Sequence, residues 1–142
     1  MNQNEPNYFL DSTTLIHAID KNAEYQKECL NIISKAAKGE INAATSLETL
    51  EETLFILSKL TSQSTAIRVI HDLLKMTKIK KYETKLTIFE HALEIIEITP
   101  LKRPKDAINV ATMLEHGIPK IVSEDEEYDE AGLIQRVHPK DL

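Results

Sequence analysis

The chain has 142 residues, with 17 Lys plus Arg against 23 Asp plus Glu, a formal net charge of −6, and 42% apolar and 28% charged residues. This fits one globular domain over residues 1–142 that needs no staples to hold its core. The single cysteine, Cys29, excludes an intramolecular disulfide and a thiolate zinc site, and no apolar run approaches the ~18 residues of a membrane span.

Met1 to Asn7 is polar and lacks a signal-peptide pattern, so a soluble, cytoplasmic protein is expected. Tyr8-Phe9-Leu10 is a short apolar run ending in Asp11, followed by a helix over Leu15 to Ile19. Ala23 to Lys38 reads as a longer helix, with Cys29, Ile32, Ile33 and Ala36 at helical spacing and Gly39 as its stop. Ile41 to Ala44 is a strand, and Thr45-Ser46 supply cap residues for a helix over Leu47 to Leu60. Two helices, Ser64 to Met76 and about Glu83 to Leu93, are joined by the basic segment Thr77 to Lys81. Ile95, Ile96 and Ile98 form a β-branched run stopped by Pro100, which predicts a strand. Pro104 opens the helix Lys105 to His116, and Gly117 closes it. Pro119 to Ser123 and Ile134 to His138 read as the last two strands, the second at a sheet edge.

Strands alternating with helices predict an α/β fold with a mainly parallel sheet. In such sheets the ligand crevice lies outside the carboxyl ends of the strands. Three strands end on polar groups: Leu10 on Asp11, Ala44 on Thr45-Ser46, and Val122 on Ser123-Glu124-Asp125. Asp106 lies in the first turn of its helix, where the dipole favours an anion, and Glu48, Glu51 and Glu52 follow the second strand. Carboxylates gathered in one cleft repel each other, and a divalent cation removes the conflict. Oxygen-only donors suit Mg²⁺ or Mn²⁺, which can activate water in an in-line phosphoryl displacement. Any one of these acids is as readily a helix cap or a solvated side chain; the pattern over several strand ends carries the expectation.

The segment 8–16, Tyr-Phe-Leu-Asp-Ser-Thr-Thr-Leu-Ile, resembles the opening of a PIN domain. Ala-Ala-Thr-Ser-Leu-Glu-Thr-Leu-Glu-Glu (43–52), Pro-Lys-Asp-Ala-Ile-Asn-Val-Ala-Thr-Met-Leu-Glu-His-Gly (104–117) and Ile-Val-Ser-Glu-Asp-Glu-Glu-Tyr-Asp (121–129) are similar to the second, third and fourth PIN motifs. The resemblance covers about residues 7–139. It implies a three-layer α/β/α sandwich with an about five-stranded sheet, from which a helical pair over about 61–93 projects. It further implies a Mg²⁺- or Mn²⁺-dependent ribonuclease, such as the VapC-type toxin of a toxin–antitoxin pair, with RNA as substrate, an antitoxin partner and a homodimeric state. By this resemblance Asp11, Glu52, Asp106 and Asp125 are the metal-binding and catalytic acids, with Glu51 second to Glu52 and Glu127 an additional acid. Ser12, Ser46 and Ser123 are expected to support them, Ser123 standing where Thr is commoner.

Lys102, Arg103 and Lys105 directly precede Asp106 and are the expected phosphate contacts, which give affinity without sequence choice. Residues 75–105 hold eight basic against four acidic groups, whereas 124–130 holds six acids in seven residues. The five histidines show no zinc-helix spacing, His116 is placed to cap its helix, and Cys29 sits on an apolar stripe. A serine-hydrolase elbow, a P-loop and a Gly-x-Gly-x-x-Gly turn are all absent from the sequence. The competing expectation is a PIN-like scaffold that binds RNA or protein without cutting. The charge of −6 disfavours tight electrostatic capture of bulk nucleic acid, but metal at the acids would offset part of it where substrate arrives.

Overall fold

The computed structural model describes residues 5–142. Met1 to Asn4, part of the polar start in which no signal-peptide pattern is read, lie outside the described residues. Apolar β1 (Tyr8–Leu10) leads through Asp11 into α1 (Ser12–Ile19), and α2 (Gln26–Lys38) follows. Gly39 closes α2 at φ 78°, a left-handed cap that a side chain would strain. Next come β2 (Ala43–Ser46), α3 (Leu47–Leu60), α4 (Gln63–Lys75) and β3 (Lys80–Tyr82). Then α5 (Leu86–Ile98) and α6 (Pro104–His116) precede β4 (Lys120–Val122), α7 (Glu127–Ala131) and β5 (Gln135–Val137). The Pro-first, Gly-last reading of α6 holds, with Gly117 at φ 66°.

The five strands among the described residues pair in parallel, in the order β3-β2-β1-β4-β5. Successive strand residues alternate between two cores. Phe9, Ala44 and Ile121 face Ile88, Ala92 and Ile95 of α5 and Val110 and Met113 of α6. Leu10, Ala43 and Val122 face Leu15 of α1, Cys29 and Ile32 of α2, Leu50 of α3 and Leu73 of α4. The sheet is therefore covered on both sides, as the apolar character of its central strands requires. The result is the three-layer α/β/α architecture expected from the sequence.

Several local expectations change. Ile95, Ile96 and Ile98 end α5 instead of forming a strand, because Ile88, Ala92 and Ile95 repeat at helical spacing and bury against α6. The basic joint at Thr77 to Lys81 runs into an edge strand, β3, whose lysines suit an edge more than a core. The residues of the expected helical pair over 61–93 are divided by β3: α4 packs on α3 at one face of the sheet, and α5 packs on α6 at the other. His116 stacks on Tyr82 of β3, ring centroids 3.7 Å apart, at the C-terminus of α6. No helix among the described residues is long and apolar enough to cross a membrane.

Candidate functional site

From β1 the chain moves outward to β2 and β3, then returns on the other side of β1 to β4 and β5. The two directions diverge between β1 and β4, so a crevice opens at the carboxyl ends of those two strands. Asp11 follows β1, while Ser123 and Asp125 follow β4. Thr14 Oγ1 donates to the Val122 carbonyl at 2.8 Å, and Thr45 Oγ1 donates to that of Leu10 at 2.9 Å. These hydroxyls tie the three central strand ends together beneath the crevice.

Asp11 caps α1 and is tied by hydrogen bonds to the end of β4. Its Oδ1 accepts the Ser12 N–H at 2.8 Å, and its Oδ2 accepts from Ser123 Oγ at 2.8 Å and Thr13 Oγ1 at 3.3 Å. With 1% of its surface exposed, its carboxyl is pushed up from the ordinary range. Burial is the main cause, and neighbouring Asp106 adds to it; Lys105 and the hydrogen bonds from Ser123 and Ser12 oppose it. Ser123 Oγ also accepts the Asp125 N–H at 3.0 Å, so one hydroxyl sets two of the expected acids.

Asp106 is fully buried at the start of α6. Its Oδ1 accepts from the Tyr128 hydroxyl at 3.0 Å and its Oδ2 from Arg103 Nε at 2.7 Å. Carboxylate oxygens of Asp106, Asp125 and Glu127 lie within 4.8 Å of one another. Arg103 spans all three: Nη2 pairs with Asp125 Oδ2, and Nε is 3.1 Å from Glu127 Oε2. A second cation serves the other side. Lys105 Nζ is 2.7 Å from Glu52 Oε2, in an ion pair bent away from hydrogen-bond geometry. It also donates to Ser12 Oγ at 3.2 Å and lies 3.9 Å from Asp11 Oδ1.

The structure thus brings together Asp11, Glu52, Asp106, Asp125, Glu127, Ser12 and Ser123, with Arg103 and Lys105 among them. Glu52 faces Lys105, while Glu51 is exposed. Ser46 stays apart as the cap of α3, accepting the Thr49 N–H at 3.1 Å. Lys102 is also turned away, against the expected phosphate contact: its ammonium donates to the Ile96 and Thr99 carbonyls at 2.6 and 2.9 Å, closing the end of α5. A groove of about 640 Å³ leaves the crevice at Lys105 and Glu52 and passes Glu48 and the exposed ring of Phe55.

Sequence reasoning missed Asn109 as part of the site. Its Nδ2 donates to the Tyr128 hydroxyl at 2.9 Å and reaches toward Asp11 Oδ1 at 3.5 Å. Its position three residues after Asp106 on a helix is the signal that could have found it. Tyr128, which lies inside the fourth-motif segment and is given no role there, is fully buried and its hydroxyl pKa is pushed up. Burial is the main cause, followed by the charges of Asp11 and Asp106.

The donor set fits a hard divalent cation. It contains carboxylate and hydroxyl oxygens, and the buried Asn109 Oδ1 has no hydrogen-bond partner. Excess negative charge is drawing in two side-chain cations.

Residues 8–133 match the family model of the PIN domain. No match is found among curated protein sequences. Among solved structures, the chain is similar to the VapC20 toxin of Mycobacterium tuberculosis, described as cleaving the sarcin–ricin loop, at 17% identity and a TM-score of 0.76, covering 90% of this chain and 97% of that one. It is also similar to a chain of a Klebsiella pneumoniae toxin–antitoxin complex (18%, TM-score 0.67, covering 95% and 99%). A third likeness is to a chain of Rickettsia felis VapBC2 bound to a promoter DNA fragment (14%, TM-score 0.70, covering 92% and 97%).

Proposed function

The chain belongs to the PIN domain family, and from that premise we propose that it is a Mg²⁺- or Mn²⁺-dependent endoribonuclease that hydrolyses RNA phosphodiester bonds. The observation that carries this reading is the grouping of the Asp106, Asp125 and Glu127 carboxylates within 4.8 Å of one another, with Asp11 joined to Asp125 through Ser123 and Glu52 paired with Lys105 alongside. Asp11, Glu52, Asp106 and Asp125 would hold the ion, with Glu127 beside them. A bound divalent ion supplies Lewis acidity toward a phosphoryl oxygen and toward the attacking water.

The chain's own residues prepare that chemistry. Ser123 and the Ser12 N–H fix the Asp11 carboxylate, and Tyr128 fixes that of Asp106. Holding ligands in place before substrate arrives removes reorganisation from the reaction itself. Arg103 and Lys105 bring the positive charge that a phosphodiester needs in a protein of net charge −6. Two of the structural neighbours are toxin–antitoxin assemblies and one is a toxin, which supports a toxin role with an antitoxin protein as partner. From the family resemblance alone we also propose a cytoplasmic homodimer.

The test is cleavage of single-stranded RNA with Mg²⁺ or Mn²⁺ by the wild type, Asp11→Asn and Asp106→Asn. Both variants should lose more than the roughly 10–100-fold that follows loss of an outer-shell partner. Equal cleavage by all three would overturn the assignment and leave a non-cutting scaffold.

A further inference from the structure

Arg103 sits where an ion would be drawn. Three carboxylates with oxygens within 4.8 Å of one another carry three negative charges, and a single guanidinium answers them. It does not grip any of them as a two-point fork, the geometry in which an arginine–carboxylate pair is strongest. Instead Nε is divided between Asp106 Oδ2 at 2.7 Å and Glu127 Oε2 at 3.1 Å, and Nη2 goes to Asp125. Its side chain is 52% exposed, whereas that of Asp106 is 0% exposed and that of Asp125 is 21% exposed. The Asp106 carboxylate is held from below by the Tyr128 hydroxyl, and Asp125 is held by its backbone N–H on Ser123 Oγ and by the Glu127 N–H on its Oδ1, whereas the exposed Glu127 side chain and the arginine both reach the group from the solvent side. The two aspartates are thus anchored independently of the arginine, whose half-exposed side chain can swing into solvent without unseating them.

Resting on the metal-dependent reading above, we propose that Arg103 is an internal counter-ion that a divalent cation must displace from Asp106, Asp125 and Glu127. The guanidinium stabilises the metal-free cluster by cancelling part of its repulsion. It also weakens metal uptake, because only molecules with the arginine withdrawn are competent to bind. Apparent affinity then falls by the competent fraction, so an arginine in place about nine times in ten costs about tenfold in affinity. Lys105, on Glu52 and Ser12, is not in competition for the same three carboxylates.

The experiment is titration of Mn²⁺ into the full chain, followed by the loss of the free-ion paramagnetic resonance signal. Arg103→Met should bind Mn²⁺ about tenfold more tightly than the wild type. Arg103→Lys, which keeps the charge but loses the planar group, should fall between them. Equal or weaker binding by Arg103→Met, with clear binding by the wild type, overturns the counter-ion while leaving the metal site intact. No binding by either protein overturns the metal-dependent reading and this proposal together. A measurement on the unaltered protein covers the case in which Arg103→Met does not fold. The ¹⁵Nε–H resonance of Arg103, assigned from its absence in Arg103→Lys, should shift and lose exchange protection as Mg²⁺ is added. A resonance unmoved at saturating Mg²⁺ refutes displacement.

Discussion

Removing the Tyr128 hydroxyl tests how the buried half of the cluster is held. In Tyr128→Phe the ring and its packing remain, and two hydrogen bonds go: the donation to Asp106 Oδ1 at 3.0 Å and the acceptance from Asn109 Nδ2 at 2.9 Å. The first is a bond to a charged group, worth about 1.5–3 kcal/mol. The second leaves Asn109 Nδ2 with the long contact to Asp11 Oδ1, at 3.5 Å, so the cost stays at or below the about 1–3 kcal/mol of a buried donor with no partner. Because the two losses share one atom they do not add in full, and a net destabilisation of about 2–4 kcal/mol is expected. At about 3 °C per kcal/mol for a chain of this size, Tm should fall by roughly 6–12 °C. Urea unfolding of the metal-free protein, followed by circular dichroism, should give that difference with an unchanged slope. Replacing both partners, Asn109→Leu with Tyr128→Phe, should cost less than the sum of the single changes, since neither is then left unpaired. A cost below about 0.5 kcal/mol for Tyr128→Phe would refute the reasoning, because such values are ordinary for surface changes.

Two further outcomes lie away from the crevice. Burial, aided by Lys85 and Lys80 and opposed by Glu115, holds the His116 imidazole below its ordinary 6.5, so the fold favours the neutral ring. Its contribution to stability is present above that value and is lost as pH falls below it toward the lowered folded-state value. His116→Phe, which keeps a ring against Tyr82, should flatten the stability profile across that window, and a profile parallel to the wild type would refute this. Burial first, then the charges of Glu124 and Glu28, push the Cys29 thiol up to about 12, and the side chain is fully enclosed. An aromatic disulfide reagent at mildly alkaline pH should label it only after unfolding, and labelling of the native protein at the rate of a free thiol would contradict the packing.

The acids at strand ends were legible because a parallel sheet leaves its crevice at the carboxyl ends, so Asp11 and Asp125 could be placed without coordinates. The bounds of α3 were legible because Ser46 is a cap residue placed directly before an apolar-rich helix. What failed was local preference without tertiary context. The isoleucines at 95, 96 and 98 favour a strand as isolated residues, and only the core shared by α5 and α6 selects the helix. β3 was hidden because Lys80 and Lys81 give an edge strand no apolar signature. The three basic residues before Asp106 could not be told apart by spacing. One closes a helix, one spans three acids, and one joins Glu52 to Ser12.

The strand order also bears on how the protein is made. β1 and β4 are neighbours in the sheet, yet Ser123 hydrogen-bonds Asp11 across 112 positions of chain. During translation β1 can find β2 early, but its other flank stays open until β4 has left the ribosome, and Glu127 comes later still. A growing chain with this topology has isolated carboxylates and no cluster. A site that draws on both strand ends is thereby completed only once β4 and α7 have been made, however early β1 and β2 have paired.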